Sequence, residues 1–232
     1  GRRTIAAISP DERYLLCTED LSSSQIELYL VDLTTHTEEQ LTTGQPPARY
    51  DAICWSETGI YLLTDAIHDQ GALCRYELTT KTLTRLCDAT IARETGEFEL
   101  FTLAPDGHTA ALTYNAEGYS QLYLVDLEQN TQQLVTTVPA GVIGGLKFRA
   151  DGAALVFDLQ RPTQPQDIWL LTLADQQCRQ LTYSNYAGID KRTFVAPTLL
   201  HYPTFDGRQI PAFYFQPQQP APSSGYPCIL YV

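Results

Sequence analysis

Leu28-Tyr29-Leu30-Val31-Asp32-Leu33 and Leu122-Tyr123-Leu124-Val125-Asp126-Leu127 are the same six residues written twice. Two weaker copies are Leu73-Cys74-Arg75-Tyr76-Glu77-Leu78 and Ile168-Trp169-Leu170-Leu171-Thr172-Leu173. A turn and a short apolar run precede each copy: Ser9-Pro10-Asp11 with Tyr14–Cys17, Ser56-Glu57 with Tyr61–Thr64, Ala104-Pro105-Asp106-Gly107 with Ala110–Thr113, and Ala150-Asp151-Gly152 with Ala154–Phe157. A further short run follows each: Gln40-Leu41-Thr42, Arg85-Leu86-Cys87, Gln133-Leu134-Val135 and Gln180-Leu181-Thr182. The turn recurs at intervals of 46, 49 and 45 residues and the six-residue run at 45, 49 and 46. A period near 46 that contains four strand-like runs is the signature of a propeller blade.

The residue types agree with the period. Val, Ile, Leu, Tyr and Thr fill the runs, as strands prefer. A tight turn at Pro-Asp-Gly or its variants joins the first two runs of a unit, where Gly supplies positive φ. Leu-Tyr-Leu-Val-Asp-Leu is apolar on both faces, as a sheet packed between two neighbours must be. A β-sandwich shows alternation but no 46-residue repeat, and no segment holds the 3.6-residue periodicity of a helical solenoid. The predicted fold is all-β: a β-propeller of four-stranded blades, with repeats at about 4–46, 47–93, 94–140 and 141–186 inside a unit spanning 1–190. No extra strand is left over to close a four-membered ring, so a larger ring with blades before Gly1 is expected. The absence of an initiator Met, and of any Met in the chain, agrees with an excised segment.

The 232 residues can bury over two thirds of the unfolded surface, enough for a core without staples. Apolar residues make up 44%, which excludes a disordered chain. Fifteen basic against 27 acidic residues give −12, which argues against nucleic acid or an anionic membrane as partner. No apolar run reaches the ~20 residues of a membrane span, and no signal core precedes the repeats. The six cysteines (17, 54, 74, 87, 178 and 228) form no Cys-x-x-Cys pair and have no histidine at metal-ligand spacing. Most lie in strand-like runs and read as buried free thiols of a reducing compartment, the cytoplasm.

Chemical motifs are sparse. Gly118-Tyr119-Ser120-Gln121-Leu122 approaches the Gly-x-Ser-x-Gly elbow of serine hydrolases, but Leu122 stands where the second Gly is required, and the stretch falls in a hairpin. His36, His68 and His108 fall in turns and read as solvent-exposed, whereas His201 reads as packed on a strand. Asp106-Gly107, Asp151-Gly152 and Asp206-Gly207 lack the alternating oxygen ligands of a calcium loop and read as turns. The charged stretch Arg93-Glu94-Thr95-Gly96-Glu97-Phe98-Glu99 reads as a solvated loop between blades. No phosphate loop, dinucleotide fingerprint or zinc motif occurs. No catalytic, cofactor-binding or metal-binding residue is assigned, and no cofactor is expected.

The pattern changes near Asp190. Thr198–Pro203 and Ile210–Phe215 read as strands around a turn at Phe205-Asp206-Gly207-Arg208. Gln216–Pro227 reads as a loop. Cys228-Ile229-Leu230-Tyr231-Val232 reads as a third strand, one normally followed by more chain. Asp-Gly-Arg-Gln-Ile-Pro-Ala, the Pro-rich loop and Tyr226–Val232 together resemble the lead-in to the catalytic domain of prolyl oligopeptidase family serine peptidases. The repeats resemble the propeller that precedes that domain, especially in the acylaminoacyl-peptidase and dipeptidyl-peptidase-like branches.

The resemblance implies that 191–232 is a linker plus the first strands of an α/β-hydrolase domain, with an oxyanion loop and a Ser-His-Asp triad beyond Val232. It further implies a non-catalytic propeller that gates access of short peptides to that site. The partners would be the peptide substrate and the chain's own hydrolase domain, and exposed strand edges leave room for a homo-oligomer. Paired glutamates hold substrate amino termini in dipeptidyl-peptidase relatives, but the stretch Arg93-Glu94-Thr95-Gly96-Glu97-Phe98-Glu99 does not match that motif residue by residue. The repeats alone are equally similar to periplasmic TolB-type propellers, so a protein-binding module without a catalytic domain is the alternative. The strands after residue 198 argue against it.

Overall fold

The computed structural model describes residues 3–67, 71–87 and 97–231. The first repeat forms β1 (Arg3–Ile8), β2 (Tyr14–Ser22), β3 (Gln25–Asp32) and β4 (Thr37–Gln40). The second forms β5 (Tyr50–Ser56), β6 (Gly59–Thr64), β7 (Ala72–Glu77) and β8 (Thr82–Cys87). The third forms β9 (Phe98–Leu103), β10 (Thr109–Ala116), β11 (Tyr119–Asp126) and β12 (Thr131–Leu134). The fourth forms β13 (Val142–Phe148), β14 (Ala154–Arg161), β15 (Gln164–Thr172) and β16 (Cys178–Gln180). Each repeat is one antiparallel four-stranded sheet with its strands in chain order.

Turn chemistry explains why the strands break where they do. After the first strand, the amides of Glu12, Gly107 and Gly152 donate to the carbonyls three residues back, Ser9, Ala104 and Arg149, at 2.8, 3.0 and 2.9 Å. All three residues have positive φ, between 57° and 71°. The preceding aspartates, Asp11, Asp106 and Asp151, accept the amide two positions on at 3.2, 2.8 and 3.0 Å. These carboxylates therefore serve their own turns, as the sequence predicts. After the third strand a second left-handed residue recurs: His36, Lys81, Asn130 and Gln176, all with φ from 51° to 56°. Asp32 and Asp126 each accept two amides of that turn.

An acid, half-buried Glu27 in the first sheet and buried Asp167 in the fourth, clasps the end of each unit. Glu27 accepts from the Thr42 hydroxyl, which also accepts the Leu28 amide at 3.3 Å. Asp167, 3% exposed, accepts from the Thr182 hydroxyl at 2.9 Å, and Thr182 accepts the Ile168 amide at 2.8 Å.

The core lies between the sheets as three apolar layers. Leu16, Leu28, Tyr50, Ile60 and Leu62 join the first and second sheets. Leu73, Phe101, Leu112 and Val125 join the second and third. Ala111, Leu122, Leu155, Phe157 and Leu171 join the third and fourth. Each fully buried leucine is worth roughly 1.5–3 kcal/mol, so the layers dominate the stability. The first strands β1, β5, β9 and β13 neighbour one another in succession, which makes them the inner strands.

Beyond β16 the chain is irregular apart from a single 3-10 turn at Lys191–Thr193, where the Asp190 carboxylate accepts the Arg192 amide at 3.0 Å. β17 (Thr198–Pro203) and β18 (Gln209–Tyr214) then form a two-stranded hairpin. Its turn repeats the blade device: Gly207 has φ 85° and its amide donates to the Thr204 carbonyl at 3.0 Å. The third strand expected at 228–232 is absent over 228–231, where no ladder partner is paired. An apolar run becomes a strand only when a neighbour supplies its hydrogen bonds. Cys228 is correspondingly exposed, unlike the buried thiol expected there. No helix of the described residues is long and apolar enough to cross a membrane.

Candidate functional site

A cleft of about 410 Å³ opens between the second and third sheets. Arg49 and Asp51 enter it from the start of β5, Leu63, Thr64 and Asp65 from the end of β6, and Glu97, Phe98 and Glu99 from the start of β9. Tyr50 pairs with Thr64 across β5 and β6, which brings these strand ends together. Among the described residues, four carboxylates and one guanidinium thus line the cleft. Arg49 Nη2 lies 2.7 Å from Asp51 Oδ2, and the Arg49 amide donates to Asp65 Oδ1 at 2.6 Å. Glu99 accepts from Asn115 Nδ2 at 3.2 Å and from Ser120 Oγ at 2.9 Å. The surplus of negative charge makes the cleft attractive to cationic groups.

The tail hairpin sits at the same end of the third sheet. Phe98 pairs with Tyr114, so the start of β9 lies beside the end of β10 and the β10–β11 turn. On that turn the Phe213 ring covers Gly118, where an added Cβ would come within 2.7 Å of Phe213 Cε2. Gly118 also has φ 90°, so both conformation and contact require glycine. Phe213 packs on Tyr119 with ring centroids 4.9 Å apart. His201 Nε2 lies 2.6 Å from Glu117 Oε1. Asn115 joins the two regions, accepting the Gly118 amide at 2.8 Å while donating to Glu99.

Ser120 of the elbow-like stretch has a structural place. It is 8% exposed, and its hydroxyl donates to Glu99 and accepts the Ile143 amide at 3.1 Å. Among the described residues no histidine bonds to it. His108 and His201 pair with glutamates instead, Glu128 and Glu117, and His36 occupies its left-handed turn position. His201 is exposed and hydrogen-bonded where packing was expected, because it meets Glu117 of the β10–β11 turn rather than an apolar layer. His68 and the 93–96 portion of the charged stretch lie outside the described residues, while Glu97 and Glu99 belong to the cleft.

Burial pushes the thiols of Cys17 and Cys54 up, and those of Cys74 and Cys178 to about 11, which makes them poor nucleophiles. Among the described residues no three His, Cys, Asp or Glu side chains are grouped to hold a metal ion. The cleft was not legible beforehand. Arg49, Asp51 and Asp65 flank separate strands, and only the blade register brings them to Glu97 and Glu99.

No known protein family's sequence profile matches the chain, and no curated protein does. Solved structures match well. A prolyl endopeptidase aligns with a TM-score of 0.72 at 15% identity, over 89% of this chain and 30% of its own. Puromycin hydrolase aligns with a TM-score of 0.76 at 18% identity, over 97% of this chain and 36% of its own. Prolyl oligopeptidase B from Galerina marginata, bound to a 35mer substrate, aligns with a TM-score of 0.70 at 16% identity, over 89% and 30%. The chain therefore spans about a third of the length of the structures it matches, and the likeness, to their propeller regions, is one of fold: the chain carries the four-stranded blades found in these prolyl peptidases and in puromycin hydrolase.

Proposed function

We propose that this chain is the non-catalytic propeller portion of a serine peptidase that hydrolyses short peptides. In this reading residues 1–190 are blades, and 191–232 lead into an α/β-hydrolase domain whose Ser-His-Asp site lies beyond Val232. The propeller limits which peptides reach that site.

The observation that carries the reading is the β17–β18 hairpin. A simple propeller needs no such element, and this one has two different faces. Leu199, His201 and Phe213 share the face toward the third sheet. Leu200, Tyr202 and Tyr214 share the other face, at 47, 53 and 46% exposure, a free apolar surface for further protein to cover. The hairpin stands at the same end as the acidic cleft, where a peptide's amino terminus would be drawn toward the gate. The likeness to puromycin hydrolase covers more of the chain than the four sheets alone. The free thiols fit a reducing compartment such as the cytoplasm.

The test uses the complete natural reading frame. A fluorophosphonate serine-hydrolase probe is expected to label a chain longer than 232 residues, and labelling should vanish when a downstream elbow serine is replaced. A folded full-length product that takes no label and cleaves no peptide would overturn the peptidase reading in favour of a TolB-like binding module.

A further inference from the structure

We infer that a cavity between the first and second sheets binds a small uncharged molecule with an apolar body and one hydrogen-bond acceptor, held by the Tyr50 hydroxyl. The inference does not rest on the peptidase reading.

The cavity measures about 300 Å³, at the small end of the roughly 300–1,000 Å³ of ligand sites. Strand alternation separates it from the acidic cleft. Arg49 and Asp51 line the cleft toward the third sheet, whereas Tyr50 between them belongs to the layer shared with the first sheet. Leu41 behind β4, Ile67 after β6 and Leu83 on β8 give the cavity apolar walls. Tyr50 and Tyr76 add aromatic rings and are only 3 and 5% exposed.

The hydroxyls in these walls are not alike. That of Thr42 donates to Glu27 and accepts the Leu28 amide. That of Tyr76 donates to the Leu41 carbonyl at 3.4 Å. The Tyr50 hydroxyl has no hydrogen-bond partner among the described residues, yet it is not sealed from solvent. A buried hydroxyl without a partner is costly, and the space beside this one exceeds what a single bridging water fills. Burial pushes the Tyr76 phenol up to about 12 and raises Tyr50 as well, so both stay protonated and offer a donor at neutral pH. The charges around the cavity select against ions of either sign. Glu27, Asp65 and Glu39 act on the two phenols and repel an anion. Lys81, whose ammonium pairs with Glu39, lines the cavity and repels a cation.

The test is methyl NMR of the intact 232-residue chain titrated with acetophenone, an uncharged aromatic ketone. The methyl signals of Leu41, Ile67 and Leu83 should shift saturably, while those of Leu112 and Leu155 in the other layers should not. Tyr50→Phe keeps the ring and removes the hydroxyl. It should weaken acetophenone by about two- to tenfold, the worth of one hydrogen bond. It should leave the urea midpoint where it is, since no protein partner is lost. Ethylbenzene has a similar shape and no acceptor, so Tyr50→Phe should change its binding less than about twofold. Four outcomes would overturn the inference: no saturable shift at the three methyls, which would mean a cavity that holds water only; equal weakening of both probes; a lower midpoint in Tyr50→Phe; or benzoate or benzylamine binding more tightly than acetophenone. Should Tyr50→Phe fail to fold, intermolecular NOEs from acetophenone to the Tyr50 ring decide, and their absence overturns the site.

Discussion

His201 Nε2 and Glu117 Oε1 stand 2.6 Å apart although 84 positions separate them in the chain. Their side chains are 40 and 44% exposed, so water screens the pair. A double-mutant cycle on His201→Ala and Glu117→Ala should give a coupling of about 0.2–1 kcal/mol, read from exchange of the hairpin amides. Raising the salt to about 1 M should shrink it. A coupling above roughly 2 kcal/mol would mean that the pair, not the Phe213 ring, is the main hold.

Glu12 occupies a glycine's place. Its φ is 57°, the conformation taken by Gly107 and Gly152 at the same turn position of the third and fourth sheets. A residue with a Cβ loses about 1–2 kcal/mol there, while glycine costs roughly 0.5–1 kcal/mol more to order. Glu12→Gly should therefore stabilise the chain by about 0.5–1 kcal/mol, read as a higher urea midpoint at unchanged slope. A lower midpoint would show that the Glu12 side chain contributes more than its backbone strain costs.

Acid should unfold the chain late. Burial opposes the Asp167 charge, but hydrogen bonds from Thr182, Ser184 and Gln164 outweigh it and hold the carboxyl below its ordinary 3.8. The Arg13 guanidinium does the same for Asp32, and Arg149 draws Asp151 down to about 2. Each group takes up its proton at lower pH in the folded chain than in the unfolded one. Its stabilisation is complete above the unfolded value and is lost as pH falls through the folded value. The loss of far-UV strand signal should thus begin below pH 3.8. Asp167→Asn should lower stability at pH 7 by about 1–3 kcal/mol, since it misaligns buried donors. Strand loss starting well above that pH, with Asp167→Asn neutral, would remove the clasp from the account.

The blades were legible because each recurring unit carries its own instructions: Pro-Asp-Gly or a variant of it for the first turn, a left-handed residue for the last, and an apolar six-residue run between. The hairpin was legible for the same reason, through Asp206-Gly207. What escaped is what depends on distant partners. Cys228–Tyr231 has strand composition but no ladder partner, so composition misled. Phe213 meets Gly118 across about two repeat lengths of chain, and no local pattern marks that contact. The Glu27–Thr42 and Asp167–Thr182 clasps lie between. Each acid directly precedes the six-residue run and each threonine closes the unit, so aligning the repeats by position would have found them.

The five described thiols should react in the order of their access. Cys228 is exposed, whereas Cys17 and Cys74 are buried. Burial also raises Cys74 and Cys178 to about 11, leaving little thiolate at pH 8. Brief iodoacetamide treatment followed by peptide mass analysis should find Cys228 alkylated first and Cys74 last. Early modification of Cys74 would mean that the layer between the first two sheets opens readily.

Ser120 lies in the one stretch that resembles a hydrolase elbow, and its surroundings give it another task. An elbow serine must be exposed and must pass its proton to a histidine. Ser120 is buried, donates a hydrogen bond to Glu99 and accepts one from the Ile143 amide. It thereby ties the third sheet to the fourth beside the backbone bond from the Ser120 amide to the Gly141 carbonyl at 2.9 Å. Ser120→Ala leaves a buried amide and a carboxylate oxygen each short of a partner, which costs about 1–3 kcal/mol. The urea midpoint should fall accordingly. The 232-residue chain should take up no fluorophosphonate label either before or after the change. Labelling that disappears in Ser120→Ala would make this serine a nucleophile and place the chemistry within the blades themselves.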